Sequence, residues 1–265
     1  MLQNILTALA VVVNGIPQGL LALTYGFAAF PTAIAFLVGI GGSLAFNSVA
    51  TISFQAETIT LAGTMGTNRS ERLSLVFWGA VLLLIPSILG LNEAIVAAIG
   101  PIIVTSMMAG VGIILAYVSI DLFKSEWLSG TVSMVSALIV WFATRDLAWT
   151  IIVSVALATI TFNMVRNHPA LIKKLHENFQ VPQVDEANER FKLAPIEWKF
   201  WKNRRIVVGA LAIACLNIGA NISFGKITGS IAKAGVNIDH LAIYSSLADI
   251  GSSLFGGGPV ESIIS

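Results

Sequence analysis

Long apolar runs separated by short polar stretches occupy most of this chain. A helix of about 20 apolar residues crosses the roughly 30 Å hydrocarbon core of a bilayer, so each such run predicts a membrane span. The predicted spans are Ile5–Phe27, Pro31–Ser48, Leu73–Leu91, Ala94–Ile120, Leu128–Ala143, Leu147–Val165, Ile206–Gly225 and Leu241–Phe255. The pattern therefore predicts an all-α polytopic membrane protein.

One interruption of this pattern is the segment Val49–Thr67. It begins with polar and β-branched residues, which favour extended backbone, and continues into the small-residue run Leu61–Gly66. We expect a short strand that leads into a half-helix. A loop outside the membrane followed by an ordinary short helix is the alternative.

A second interruption is the glycine-rich stretch Gly256–Ser262, which contains Pro259 and Glu261. Irregular backbone at membrane depth is tolerated only where protein or a water-filled cavity satisfies its polar groups. Pro259 suits the first turn of a helix, which predicts that Glu261 lies near a helix N-terminus. A carboxylate at that depth is costly unless it has a function. Broken helices of this kind form the substrate and ion sites of secondary transporters.

Composition agrees with a membrane protein, since 56% of the residues are apolar and only 11% are charged, against about 25% charged in soluble domains. The net charge of +1 gives no basic field that would attract nucleic acid. Charge is concentrated in a polar connector, residues 166–205, whose run Trp198–Lys202 is typical of an anchor at the membrane interface. The connector separates about seven membrane segments in residues 1–165 from residues 206–265.

Motifs for metal or nucleotide chemistry are missing from the sequence. It contains no HExxH, no cysteine and histidine set with metal-ligand spacing, and no P-loop. The single cysteine, Cys215, cannot form an internal disulfide. We therefore expect no enzyme activity, no metal and no cofactor.

Polar groups at the two breaks are the candidates for ligand binding. Glu57 and Glu261 are the acids nearest the breaks, and a buried carboxylate can carry a proton during symport. Gln55 and Asn221 are candidate amides for reading the edge of a planar ligand. Backbone N–H groups at the half-helices are candidate donors, aided by the helix dipoles. These donors belong to Gly63, Thr64, Gly257 and Gly258.

Several stretches together resemble the xanthine/uracil permease family of nucleobase:cation symporters, in particular its guanine/hypoxanthine branch. The run Ile59–Gly66 is similar to the third-segment motif of that branch, Ile-Ala-Leu-Ala-Pro-Gly-Met-Gly. Ile102–Ile120 looks like the fifth helix, and Ser223–Gly235 looks like the eighth helix and its exit. Leu247–Asp249 and Gly256–Ser262 look like the ninth helix and the start of the tenth segment.

The resemblance implies a fold of two inverted seven-helix repeats, in which the third and tenth segments are short strands plus half-helices that face each other across the substrate. It implies import of purine-like nucleobases across the plasma membrane with a proton or sodium ion, by alternating access. The sequence does not decide whether the protein forms a homodimer. Substrate contacts are implied at Ala62, Gly63 and Thr64, and at the eighth-helix asparagines Asn217 and Asn221.

The sequence departs from the family pattern in two respects. Family members carry a carboxylate on the eighth helix, whereas this stretch offers Asn217 and Asn221, which bind through hydrogen bonds but carry no proton. The sequence also stops within the tenth segment, so we expect a second repeat that is incomplete and a truncated chain. The alternatives are a non-transporting fragment or accessory membrane subunit, and an anion carrier of the same architecture.

Orientation in the membrane stays open at this stage. Arg69, Arg72 and Lys124 follow the third and fifth segments, on the same side as the connector, and Arg145 lies on the other side. The positive-inside rule then places the amino terminus outside. The family resemblance implies the reverse.

Overall fold

The structure is a computed structural model that describes Val12, residues 15–167 and residues 192–262. The start of the first predicted span, residues 168–191 of the connector and any helix after Ser262 lie outside the described residues. Contacts divide the chain into a smaller unit, which contains residues 114–167, and a larger unit, which contains residues 18–113 and 192–262. The predicted limits of the repeats, at residues 165 and 205, stay predictions.

The larger unit contains most of the described helices and both described strands. Helix α1 covers residues 15–24. The elements that follow are α2 (Ala29–Ala45), β1 (Ile52–Phe54), α3 (Ala56–Met65), α4 (Arg69–Ile88), α5 (Asn92–Ile99) and α6 (Pro101–Ser125), which continues into the smaller unit. After the connector come a short 3₁₀ turn (Phe200–Lys202), α9 (Arg204–Ala232), α10 (Ile238–Leu254) and β2 (Val260–Ser262).

In the smaller unit, helices α7 (Trp127–Thr144) and α8 (Leu147–Arg166) pack against each other. Large apolar side chains on α7 remain exposed, and Phe142 is 65% exposed. A protein surrounded by water rarely exposes contiguous apolar patches of this kind, whereas a lipid-facing helix does. The exposed surface of α7 therefore suits contact with lipid.

Helices of membrane-spanning length occur in both units. Within the described residues, three helices are long and apolar enough to cross a bilayer: Arg69–Ile88, Trp127–Thr144 and Arg204–Ser230. Ala29–Ala45 and Trp149–Val165 are apolar but shorter. The predicted span Ala94–Ile120 is wrong as a single helix, because Gly100, with φ +91°, separates α5 from α6. Pro101 then occupies the favoured first position of α6.

The two short strands pair with each other. β1 and β2 are antiparallel, with Ile52 opposite Ser262, Ser53 opposite Glu261 and Phe54 opposite Val260. The prediction of a strand leading into a half-helix at the third segment is confirmed, since β1 is followed at once by the ten-residue α3.

The prediction that Pro259 opens a helix is wrong, because Glu261 lies in β2, and any helix N-terminus after Ser262 lies outside the described residues. Gly256, with φ +91°, turns the chain after α10, and Pro259 precedes a strand rather than a helix. A proline fits this place because a strand tolerates a missing N–H just before its ladder begins. Pairing with β1 then satisfies backbone groups of β2, which is buried inside the protein.

Close helix packing surrounds these strands. In the larger unit α4 packs against both α9 and α10, and α10 also packs against α2. Glycine permits one of these approaches: a Cβ on Gly79 of α4 would lie 2.7 Å from a side-chain methyl of Ile213 on α9. The middle of α9 and one side of α10 are thereby buried beside the strand pair.

Candidate functional site

Glu261 is the centre of the polar interior of the larger unit. Its carboxylate is fully buried in β2 and accepts a hydrogen bond from the Asn217 Nδ2 group at 2.5 Å. Asn217 lies in the middle of α9, two turns after the buried Ala210. An acid from the second break and an amide from a membrane-spanning helix are therefore in direct contact.

The first break joins the same network through Thr58. The Thr58 hydroxyl lies 2.9 Å from Asn217 Oδ1 and also within hydrogen-bond distance of Gln55 Oε1. Gln55 comes directly after β1, and Thr58 lies in the first turn of α3. A continuous series of side-chain contacts thus runs from Gln55 through Thr58 and Asn217 to Glu261. We call these four residues, with Asn221 and Asp249, the Glu261 cluster.

Asn221 and Asp249 complete this cluster. Asn221 is one helical turn after Asn217 on α9 and its side chain faces the Glu261 carboxylate. Asp249 of α10 is buried, accepts a 2.6 Å hydrogen bond from the Val260 N–H, and lies close enough to Glu261 for the two carboxyl groups to interact. Two acids and three amides therefore converge inside the protein.

Several polar atoms of this cluster are buried and form no hydrogen bond of ordinary geometry with the described residues, although Asn221, Ser245 and Asp249 lie beside the Glu261 carboxylate. These atoms are Gln55 Nε2, both side-chain polar atoms of Asn221, Asp249 Oδ2 and Glu261 Oε2. An unsatisfied buried polar group costs about 1–3 kcal/mol, and native proteins contain few of them. A concentration of such atoms is what a site built to hydrogen-bond a ligand presents.

Sequence reasoning did not single out Asp249 as a site residue, since an acid on this helix can also pair with a lysine such as Lys226 or cap a helix. Lys226 instead lies 3.8 Å from Glu93 at an exposed position. A usable signal was present in α10, where Ser245, Ser246, Asp249, Ser252 and Ser253 recur at helical spacing and are all buried. A polar stripe on an apolar helix faces the protein interior rather than lipid.

The second break is held in place by hydrogen bonds from two helices. The Gly257 N–H donates to the Ser252 carbonyl at 2.8 Å, and the Gly258 N–H donates to the Thr32 hydroxyl at 2.8 Å. The Ser252 hydroxyl in turn donates to the Gly258 carbonyl at 2.7 Å. Both glycine N–H groups, which we expected to be ligand donors, are thus already bonded to protein in this structure.

Arg69 of α4 ties this break to the end of α1. Its Nε donates to the Gly26 carbonyl at 2.9 Å, and its Nη2 donates to the Gly256 carbonyl at 3.3 Å. The Ala28 N–H also donates to the Gly256 carbonyl, at 2.8 Å. The turn into β2 is therefore fixed by a charged side chain as well as by backbone.

Four further predicted site residues lie on α3 and do not join these contacts. Glu57 is half-buried in the first turn, where the helix dipole favours an acid. Ala62 belongs to the apolar core, and a Cβ on Gly63 would collide with the Tyr25 ring. Thr64 is exposed and donates its hydroxyl to its own helix backbone. Their assignment to a binding site stays a prediction.

The chemical character of the cluster is acidic and amide-rich. Its six residues include no lysine or arginine, so within the described chain no cation neutralises the two carboxyl groups from inside the cluster. Among the described residues, no group of three histidine, cysteine, aspartate or glutamate side chains is arranged to hold a metal ion. The arrangement suits hydrogen bonding to a small ligand.

Comparison with known proteins identifies the fold. No family model and no curated protein matches the sequence. A solved structure that is similar to this chain is the transmembrane domain of a cyanobacterial bicarbonate transporter, BicA, with a TM-score of 0.62 and 13% sequence identity. The match covers 97% of this chain and 75% of that one. The chain therefore has the fold of a transporter transmembrane domain, with few strands, and three of its described helices are long and apolar enough to cross a membrane.

Proposed function

We propose that this chain is a secondary-active permease of the plasma membrane that imports a purine-like nucleobase with a proton or a sodium ion by alternating access. The observation that carries this proposal is the buried Glu261 carboxylate, which is bonded to Asn217 and surrounded by unpaired amide and carboxyl atoms. The transporter fold supplies the scaffold for such a site.

The atoms of the cluster match the edge of a purine. A purine base presents ring N–H donors beside carbonyl and ring-nitrogen acceptors in one plane. A carboxylate accepts from such N–H groups, while the amides of Gln55 and Asn221 can both donate and accept. A site that must hydrogen-bond its ligand strongly rejects analogues that leave its polar groups unpaired. Neutral bases are therefore favoured over apolar molecules of the same size.

The adjacent acids account for the coupling ion. Two carboxylates that face each other in a medium of low dielectric repel strongly. A proton or a sodium ion held between Asp249 and Glu261 removes this repulsion. Binding of the cation and binding of the base are then linked, because both use the Glu261 carboxylate.

An anion carrier is the second candidate, since the similar solved structure is described as a bicarbonate transporter. The two acids oppose it, because an anion in the cluster meets like charge without a basic partner. Labelled bicarbonate therefore belongs in the same experiment. Saturable bicarbonate uptake without uptake of any base would replace the nucleobase proposal.

The test is uptake of labelled guanine, hypoxanthine, xanthine, adenine and uracil into transport-deficient cells that express this chain. We expect saturable uptake of a purine, and loss of that uptake in Glu261→Gln with unchanged membrane insertion. Glu93→Gln is the matched control, because Glu93 is exposed and lies outside the cluster. Full uptake activity in Glu261→Gln would contradict the role of Glu261 in transport. Good insertion without uptake or binding of any base would favour a non-transporting membrane subunit.

A further inference from the structure

The end of the connector is fixed against α4 by aromatic packing. Phe200 stacks on Trp78 with ring centroids 4.2 Å apart, and the Trp78 Nε1 group donates to the Glu197 carbonyl at 3.1 Å. Trp198 meets Phe77 edge to face, at 5.5 Å. The end of the connector is therefore packed against α4 and is not a free linker.

Hydrogen bonds to the first turns of α4 add to this attachment. The Glu197 N–H donates to the Ser74 hydroxyl at 2.8 Å, and the Ser70 hydroxyl donates to the Pro195 carbonyl. Residues 195–200 thus follow α4 closely, and they lead directly into α9. Both α4 and α9 are long and apolar enough to cross a membrane. The segment consequently lies where these two helices begin, at one boundary of the bilayer.

A surface cavity of about 620 Å³ opens at this place. Its lining residues are Glu197, Trp198, Lys199, Lys202, Asn203 and Arg204. A second cavity, of about 530 Å³, shares Asn203 and Arg204 and adds Arg205. Neither is lined by residues of the Glu261 cluster, so this is a different location with a different charge.

The charge at this cavity is positive. The carboxylate of Glu197 accepts a hydrogen bond from Asn203 at 3.3 Å, and Arg205 forms an ion pair with Glu71 at 3.2 Å. Three other cations there are exposed and form no ion pair with the residues that the structure describes. These are Lys199, Lys202 and Arg204.

We propose that this surface binds the headgroup of an anionic phospholipid. Lys199, Lys202 and Arg204 meet the phosphate, while the rings of Trp198 and Trp201, which are 60% and 63% exposed, lie in the interface between water and lipid. Basic residues beside a membrane attract anionic lipid headgroups. A soluble phosphate compound lacks the acyl chains that the exposed tryptophans would contact, which favours a lipid as the occupant.

The experiment measures lipid binding to the purified chain in nanodiscs of phosphatidylcholine, with or without phosphatidylglycerol. Tryptophan fluorescence is followed while brominated phosphatidylglycerol or brominated phosphatidylcholine is added, because bromine quenches a ring that it touches. We expect phosphatidylglycerol to quench at several-fold lower concentration than phosphatidylcholine. Trp198→Phe combined with Trp201→Phe removes this difference.

Charge variants provide the decisive comparison. We expect the double variant Lys199→Gln and Lys202→Gln to lose the preference for phosphatidylglycerol. The double variant Lys226→Gln and Lys233→Gln removes the same amount of charge elsewhere, and we expect it to keep the preference. Equal quenching by the two lipids in the unaltered protein would overturn the proposal. So would an unchanged preference in the Lys199 and Lys202 variant, or displacement of phosphatidylglycerol by glycerol 3-phosphate at an equal concentration. This experiment does not measure nucleobase uptake, so its result tests the lipid site independently of the transport proposal.

Discussion

The two breaks in the helical pattern meet as partner strands, yet they are built in different ways. The first, β1 and α3, contributes neutral side chains to the Glu261 cluster, namely Gln55 and Thr58. The second contains three consecutive glycines and contributes the acid Glu261. Hydrogen bonds from Thr32, Ser252 and Asp249 reach its backbone.

The difference follows from what each break must do. The first break contributes uncharged groups to the cluster, and their burial costs less than burial of a charge. The second must place a carboxylate inside the protein, which is costly unless its surroundings are fixed beforehand. Close approach by neighbouring helices provides this, and it requires glycine. We therefore expect Gly257 of the second break to tolerate substitution much less than Thr58 of the first.

Gly257→Ala has the largest expected effect. A Cβ at this position would lie 2.6 Å from the Thr32 backbone nitrogen and would also collide with the Ser252 hydroxyl. Backbone cannot yield as a flexible side chain does, so we expect a loss of about 3 kcal/mol. The loss appears as a lower unfolding temperature of the protein in detergent.

Gly251→Ala is the matched control, because Gly251 lies six residues earlier, on α10, and a Cβ there meets nothing within 4 Å. We expect Gly251→Ala to unfold at the same temperature as the parent or slightly above it, since alanine favours helix. Equal destabilisation by both variants would show that the tight contact at Gly257 is unimportant.

Asp249→Ala has an intermediate expected effect. It removes the acceptor of the Val260 N–H, which is then buried without a partner at a cost of about 1–3 kcal/mol. Asp249→Asn keeps an oxygen at that place and changes only the charge, so we expect it to retain most of the stability while it alters the ion dependence of uptake. Thermal unfolding and uptake at varied proton and sodium concentrations separate the two effects. Equal stability of Asp249→Ala and Asp249→Asn would contradict the stabilising hydrogen bond that we assign between the Val260 N–H and Asp249.

Thr58→Val has the smallest expected effect and examines the first break. It removes the hydroxyl between Gln55 and Asn217 but keeps a side chain of similar shape. Side-chain hydrogen bonds inside membrane proteins contribute about 0.6 kcal/mol on average, with a maximum of about 1.7. We expect a loss of about 1 kcal/mol, together with weaker binding of the substrate because Asn217 is less well oriented. Thr24→Val, at an exposed position of α1 whose hydroxyl bonds its own helix backbone, is the control and should change neither quantity.

The apolar runs predict the helices well, and the polar start of Val49–Thr67 predicts β1 and the half-helix. Periodicity and composition are local properties, and these elements are decided locally. The strand position of Glu261 depends on pairing with Ser53, which is distant in sequence, and no local signal carries that information. A proline followed by a carboxylate fits the start of a helix equally well.

Asp249 illustrates the second limit of sequence reasoning. An acid with a lysine elsewhere in the chain suggests an ion pair, but the serines that share its face of α10 indicate that it points inward. Gly100 illustrates a third limit, since a single glycine inside a hydrophobic run breaks a helix only when the backbone takes a positive φ. Both outcomes depend on tertiary packing.

Pairing of β1 with β2 also has a consequence for the order in which the molecule assembles. Ser53 and Glu261 are about two hundred residues apart in sequence, and contacts of such separation form late because closing a long loop costs entropy before any contact repays it. During synthesis the amino-terminal half emerges first and must wait for its partner strand. The Glu261 cluster is therefore incomplete in every nascent chain until β2 has left the ribosome, so its buried polar groups find their partners only at the end of synthesis of this part of the chain.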